Sequence, residues 1–117
     1  MGKVETNKKQ KNTTLLQTSF ELFTEKGFTK TTISDIVNRA GLAKGTFYLY
    51  FKDKYDLRDR LVTYKTSQLF GNAHTALIEQ NIQGFENQMF FVIDHIIDRL
   101  EKEPKLLQFI SKNLSWG

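Results

Sequence analysis

The sequence predicts an all-α protein, and three observations carry that prediction. Proline occurs once in the 117 residues, at Pro104. No window has the sustained apolar/polar alternation of a strand, whereas apolar residues recur at helical spacing from Asn12 to Leu114. The hydrophobic content is 39%, enough for a folded core, and no apolar stretch approaches the roughly 20 residues that cross a bilayer. With no cysteine and no apolar leader, a cytoplasmic protein is expected.

Basic charge is concentrated in the first half of the chain. The formal net charge is +4. Residues 1–60 hold twelve lysines and arginines against seven acidic residues, whereas residues 61–117 hold five against six. This asymmetry suggests a polyanion, such as nucleic acid, as the partner of the first half, and an incidental basic surface is the alternative.

A flexible basic arm is predicted over residues 1–11, which include four lysines. It would serve either as a solubilising tail or as a contact to DNA phosphates. The first helix is then predicted to begin at the candidate caps of residues 12–14 and to end at Gly27. Phe28 follows that glycine and is expected to pack back on Phe23.

A short second helix is predicted to begin at the cap residue Thr32. Asp35 lies in its first turn, where the helix dipole favours an anion. Gly41 is expected to end this helix and to let Leu42 fold back on Val37. The apolar face of the helix consists of Ile33, Ile36, Val37 and Ala40.

The third helix is predicted to run from Lys44 to Tyr50, with Phe47 and Phe51 facing inward. The apolar face of this helix is therefore narrow and consists of these two phenylalanines. Gly45 weakens a helix, which makes sense if another backbone or the wall of a groove must come close.

Three longer helices are predicted to complete the chain. The fourth begins near Asp53 and extends to about Gln80, and Gly84 marks the next break. Pro104, at a first-turn position, opens the sixth. The fifth is apolar around most of its circumference, which normally means burial on several sides. The residues that make it so are Phe85, Met89, Phe90, Phe91, Val92, Ile93, Ile96 and Ile97.

The two short helices have the form of a helix-turn-helix, whose second helix enters the major groove while the first crosses the phosphate backbone. The order of residues 27–57 is specific: GFTKTTISDIVNRAGLAKGTFYLYFKDKYDL. This segment resembles the DNA-binding signature of the TetR (tetracycline-repressor) family of transcriptional regulators. With the first helix included, the resemblance covers some 45 to 50 residues.

The resemblance assigns roles to individual residues. Thr32 is expected to contact backbone phosphate, and Lys44 and Gly45 occupy base-facing positions that open the recognition helix. Ser34, near the start of the second helix, adds a hydroxyl donor for phosphate. The positions expected to bind phosphate or nearby bases are Thr46, Tyr48, Tyr50 and Lys54.

Plainer interpretations exist for several of these side chains. Tyr48 and Tyr50 would be ordinary surface residues in an arbitrary helix, and the order of elements around them favours DNA binding instead. Lys52 is expected to be solvated, and Arg39 to be a surface charge or ion-pair partner.

The resemblance implies a three-helix DNA-binding domain over residues 12–60, joined through the long fourth helix to a partial effector-binding and dimerisation domain over residues 61–117. We expect a repressor that binds double-stranded operator DNA as a homodimer when complete and is released by a small-molecule effector. The effector-binding residues are unknown. A member of this family usually continues for several more helices, so part of the protein is expected to be missing.

Two other classes compete with this hypothesis. A helical protein-interaction or sensor module, with an incidental basic face, is the nearer alternative. An enzyme is the more distant one, because paired catalytic groups, phosphate-binding glycine loops and metal-ligand patterns are lacking. We therefore expect no catalysis, no cofactor and no metal. His74 and His95 fall on different predicted helices, and His95 is expected to be a hydrogen-bonded core residue or a pocket residue.

Overall fold

The computed structural model describes residues 3–114, with side chains over residues 7–113. In this range the chain is all-α, which confirms the predicted fold class. The six helices are α1 (Lys3–Lys26), α2 (Ile33–Ala40), α3 (Lys44–Tyr50), α4 (Lys54–Glu79), α5 (Phe85–Lys102) and α6 (Pro104–Leu114). The chain divides into two compact units after Leu61, so that α4 begins in the first and continues into the second.

Helix α1 begins much earlier than the sequence suggested. It starts at Lys3, so the boundary at Asn12 and the separate arm are wrong for residues 3–11, while Met1 and Gly2 lie outside the described residues. Lysine, glutamine and glutamate are good helix formers, and residues 3–11 contain no glycine or proline. The polar residues at positions 12–14 are therefore accommodated inside a continuous helix.

The core of the first unit is built from all four of its helical segments. Helix α2 packs against both α1 and α3. The buried apolar residues are Leu15, Leu16, Leu22, Phe23, Ile36, Val37, Phe47, Phe51, Leu57 and Leu61. Helices α1 and α4 contribute six of these ten residues, so the short helices α2 and α3 belong to a core that comes mostly from the two longer ones.

The second unit buries fewer side chains. Its buried apolar residues are Leu69, Ala73, Leu106, Phe109 and Ile110. Helix α5 packs against α6 but has no fully buried residue. Its exposed large apolar residues are Phe85, Met89, Phe90, Ile93 and Ile97. The apolar circumference predicted for this helix is therefore only partly covered by the described residues.

Within residues 3–114, every helix is too short or too polar to pass through a lipid bilayer.

Candidate nucleic-acid interface

Helix α2 begins with a reciprocal pair of hydrogen bonds. The Asp35 N–H donates to Thr32 Oγ1 at 3.0 Å, and the Thr32 N–H donates to Asp35 Oδ2, also at 3.0 Å. This capping box confirms Thr32 as the N-cap. Because the Thr32 hydroxyl oxygen is the acceptor here, its own proton stays available for an outside acceptor such as a phosphate oxygen.

Two ion pairs tie the end of α1 to α2. Lys26 Nζ lies 2.9 Å from Asp35 Oδ2, and an Arg39 guanidinium nitrogen lies 2.9 Å from Glu25 Oε2. Arg39 is thus the ion-pair partner that the sequence allowed. The hydrogen bond from the Thr32 N–H is the main cause that lowers the pKa of Asp35 to about 2, and the bond from Lys26 adds to it.

The turn between α2 and α3 closes as predicted. Gly41 adopts φ +72°, and its N–H donates to Asn38 O at 3.3 Å. The Leu42 N–H donates to Val37 O at 2.9 Å, which completes the Schellman pattern. A side chain at position 41 would be strained in this left-handed conformation, so the tight turn needs its glycine.

Helix α3 and its C-cap Phe51 present three kinds of position: buried, half-buried and exposed. Phe47 and Phe51 are buried, and Thr46 and Tyr50 are half-buried. Four residues are exposed and form the outer face of α3: Lys44, Gly45, Tyr48 and Leu49. Because residues four apart are neighbours on a helix, Lys44 adjoins Tyr48 on this face, and Gly45 adjoins Leu49.

Leu49 is the residue of this face that the sequence analysis missed. Its side chain is 79% exposed, compared with 53% for Tyr48. Exposed apolar residues are common on proteins, but an apolar side chain on a groove-facing helix has the chemistry to contact a thymine methyl group. The signal that would have found it is the helical spacing from Gly45.

Gly45 has no structural reason within the chain to be glycine. A Cβ atom built at this position meets nothing within 4 Å, and the backbone does not adopt a positive φ. Glycine inside a helix costs roughly 0.5–1 kcal/mol relative to alanine. The fold therefore bears this cost without a compensating contact among the described residues.

Ser34 and Thr32 are both exposed at the start of α2, as their predicted role requires.

Lys54 is placed differently from the other predicted residues. Its Nζ donates to Phe28 O at 2.8 Å and to Thr31 O at 2.9 Å, so its ammonium is directed into the turn between α1 and α2.

Phe28 is the centre of a cluster of aromatic and cationic side chains that the sequence analysis did not foresee as a whole. Its ring packs edge-on against Phe23 and Tyr55, with centroid distances of 5.1 and 5.2 Å. Lys54 Nζ lies 4.3 Å and the Arg58 guanidinium carbon 4.7 Å from its centroid. The predicted packing of Phe28 on Phe23 is confirmed.

The described residues contain no group of three or more histidine, aspartate or glutamate side chains that could hold a metal ion. His74 is exposed, and His95 is half-buried with its ring stacked on Phe91 at 6.1 Å.

These two helices, with their glycine turn and exposed second helix, define a helix-turn-helix protein. Residues 15–61 match the family described as bacterial regulatory proteins, tetR family. Over these residues the chain is similar to the TetR family of transcriptional regulators.

Two transcriptional regulators of known sequence are similar to part of the chain. The HTH-type transcriptional regulator YvdT of Bacillus subtilis is 45% identical over 64 residues, which cover 51% of this chain and 33% of that protein. The HTH-type transcriptional repressor KstR2 of Rhodococcus jostii is 34% identical over 64 residues, or 55% of this chain and 31% of that protein. These matches span about a third of each relative's length.

The fold is shared with a TetR-family transcription regulator from Marinobacter aquaeolei. The two structures superpose with a TM-score of 0.77 at 19% sequence identity, over 92% of this chain and 55% of the other. At this low identity the likeness concerns the fold, and it extends over both units of the chain.

Proposed function

We propose that this chain is the DNA-reading part of a sequence-specific transcriptional regulator, which inserts α3 into the major groove of double-stranded operator DNA. The observation that carries the proposal is Gly45. A glycine that costs helix stability and is required by neither space nor backbone conformation is explained when an outside surface must approach the helix closely. The wall of the major groove is such a surface.

The outer face of α3 has the chemistry to read base edges. Lys44 supplies a long donor for the O6 and N7 acceptors of guanine. Leu49 supplies an apolar contact for a thymine methyl group, and the exposed Tyr48 supplies a hydroxyl group for a phosphate oxygen or a nearby base. This combination of a donor and an apolar side chain beside a glycine supports sequence-specific binding over a purely electrostatic one.

Hydroxyl groups around α3 suit the phosphate backbone. The proposed phosphate contacts are Thr32, Ser34, Thr46, Tyr48 and Tyr50. Phosphate contacts fix the orientation of the protein without reading the DNA sequence, so these residues contribute affinity. Lys44 and Leu49 would instead determine which base sequence is preferred.

Repression, dimerisation and release by a small molecule form the finer part of the proposal. The similarity to a relative named as a transcriptional repressor supports repression as the mode of regulation. A two-fold dimer would hold two recognition helices about one DNA turn or a multiple apart, and an effector that favours another spacing would release the operator.

The test is a selection of bound duplexes from a random-sequence library, followed by titration of the selected duplex over a range of salt concentrations. We expect Lys44→Ala to relax the preference at one position of each half-site and to weaken binding by roughly 1–3 kcal/mol. Lys52→Ala is the matched control, because it removes a neighbouring exposed lysine and should leave base preference intact. If the wild-type chain enriches no sequence and its binding is insensitive to salt, a protein-interaction module is the better conclusion.

A further inference from the structure

Lys54 differs from the proposed phosphate contacts because the chain itself already binds its ammonium. The carbonyl oxygens of Phe28 and Thr31 accept from Nζ at 2.8 and 2.9 Å across sequence separations of 26 and 23 residues. The same ammonium lies 4.3 Å from the centre of the Phe28 ring. Two of its three donors are thus used, and its charge faces an aromatic ring.

The acceptors belong to the turn that connects α1 to α2. The Thr31 N–H donates to Phe28 O at 3.2 Å, and the buried Thr31 side chain donates from Oγ1 to Gly27 O at 2.7 Å. Carbonyl groups in such a turn have no helical partner, and leaving them without a donor when they are shielded from water is costly. The Phe28 carbonyl already accepts from the Thr31 N–H, so Lys54, the first residue of α4, gives it a second donor. The same ammonium also donates to the Thr31 carbonyl.

The turn leads directly into Thr32, the N-cap of α2 and a proposed phosphate contact. We propose that Lys54 is a positioning residue, which holds the turn and therefore Thr32 against the first turn of α4, and that it does not itself bind phosphate. This inference rests on the proposed DNA-binding function. It assigns to Lys54 a different role from the one that the family resemblance implies.

Salt dependence separates the two roles, because a direct phosphate contact releases counterions and a positioning contact does not. The full chain, Lys54→Met and the matched control Lys52→Met would be titrated with a fluorescent duplex of random sequence at several salt concentrations. We expect Lys54→Met to lower affinity about tenfold with no greater change in the log–log salt slope than the control shows. A slope that falls by about 0.9 more than in the control would overturn the inference.

A double-mutant cycle tests whether Lys54 acts through Thr32. In the wild-type background Thr32→Ala should weaken binding to the duplex, whereas in the Lys54→Met background the same substitution should change affinity by less than about twofold. Independent, additive losses would contradict the positioning role.

A measurement without DNA keeps this inference distinct from the proposed function. Hydrogen exchange of the Thr31 amide, which donates to Phe28 O, should become about tenfold faster in Lys54→Met and stay unchanged in Lys52→Met. Equal exchange rates of the Thr31 amide in the wild-type chain and both variants would overturn the inference that Lys54 holds this turn in place. If the wild-type chain shows this protection but binds no duplex, the proposed DNA-binding function is wrong. Lys54 would then still hold the turn, but it would not position Thr32 for a phosphate contact.

If the Lys54→Met variant does not fold, a measurement on the wild-type protein alone still tests the inference. In a ¹⁵N-labelled sample the ammonium protons of Lys54 should exchange with water at least about tenfold more slowly than those of Lys52, because two carbonyl groups hold them. Equal exchange rates for the two lysines would contradict the bound ammonium.

Discussion

Helices α2 and α3 follow one another in the chain and have eight and seven residues, yet they are held in place by different means. Helix α2 has a capping box at its start, a Schellman ending at Gly41 and two ion pairs to α1. Helix α3 begins at Lys44 behind the N-cap Ala43, which has no side-chain cap hydrogen bond, and Phe47 is the buried residue of this helix. The first helix of the pair is thus held by both of its ends as well as by the buried Ile36 and Val37, and the second by one buried ring.

This difference has a functional consequence. A helix anchored by Phe47 on one side leaves its outer face available to a partner, which suits the proposed contact of α3 with base edges. A helix fixed at both ends keeps its cap residues in constant positions, which suits a contact to the phosphate backbone. The predictions below test this division of roles.

The largest effect is expected at the ring that anchors α3. Phe47→Ala should lower the free energy of unfolding by about 3–5 kcal/mol, because it removes a fully buried aromatic side chain. Leu49→Ala on the same helix is the control and should cost no more than about 0.5 kcal/mol, since that side chain is exposed. Urea unfolding followed by circular dichroism measures both. Similar losses for the two variants would mean that α3 is not anchored through Phe47.

The next effect concerns the start of α2. Thr32→Ala removes the side-chain acceptor for the Asp35 N–H and should destabilise the chain by about 1 kcal/mol. Thr32→Ser keeps an equivalent hydroxyl and should retain most of the stability. The same urea titration distinguishes them, and a serine variant as unstable as the alanine variant would show that the cap is unimportant.

At Gly45 stability and binding should change in opposite directions. Gly45→Ala should stabilise the chain by about 0.5–1 kcal/mol, because alanine is a better helix former and the added Cβ has open space. Binding to the selected duplex should weaken about tenfold if the groove wall approaches this position.

The matched control for this substitution is Gly71→Ala. Gly71 lies in α4, is exposed and also has open space around an added Cβ. It should give a similar gain in stability with unchanged DNA affinity. Unchanged affinity in Gly45→Ala as well would remove the observation on which the proposed function depends.

The smallest effect is the pH dependence that comes from Asp35. Because the pKa of this carboxyl is lowered from 3.8 to about 2, its contribution to stability is fully present above pH 4 and is lost as the pH falls through about 2. Asp35→Asn should flatten the stability profile in this window, measured by urea unfolding at successive pH values. Asp59→Asn, at an exposed carboxyl of α4, is the control, and an identical profile in Asp35→Asn and the wild-type chain would refute the assignment.

The sequence by itself determined the helix boundaries wherever a local stop or start signal was present. Thr32, Gly41 and Pro104 each act through bonds to residues a few positions away, so their effect can be deduced from neighbours in the chain. The predicted span of α3 matches the structure, and α4 begins at Lys54 behind the Asp53 cap, whose carboxylate accepts from the Asp56 N–H. The predicted start of α1 was wrong because asparagine and threonine, although good N-cap residues, are also tolerated inside a helix when good helix formers precede them.

What only the tertiary structure decided depends on contacts between residues far apart in sequence. No periodicity indicates that the ammonium of Lys54 lies on the carbonyl groups of Phe28 and Thr31, or that Arg58 lies over the Phe28 ring. These contacts exist because the first turns of α4 pack beside the turn that follows α1. Likewise Leu49 is exposed because α3 buries only Phe47 in the core of the first unit, and the side of so short a helix that is buried depends on tertiary packing, which includes its contact with α2.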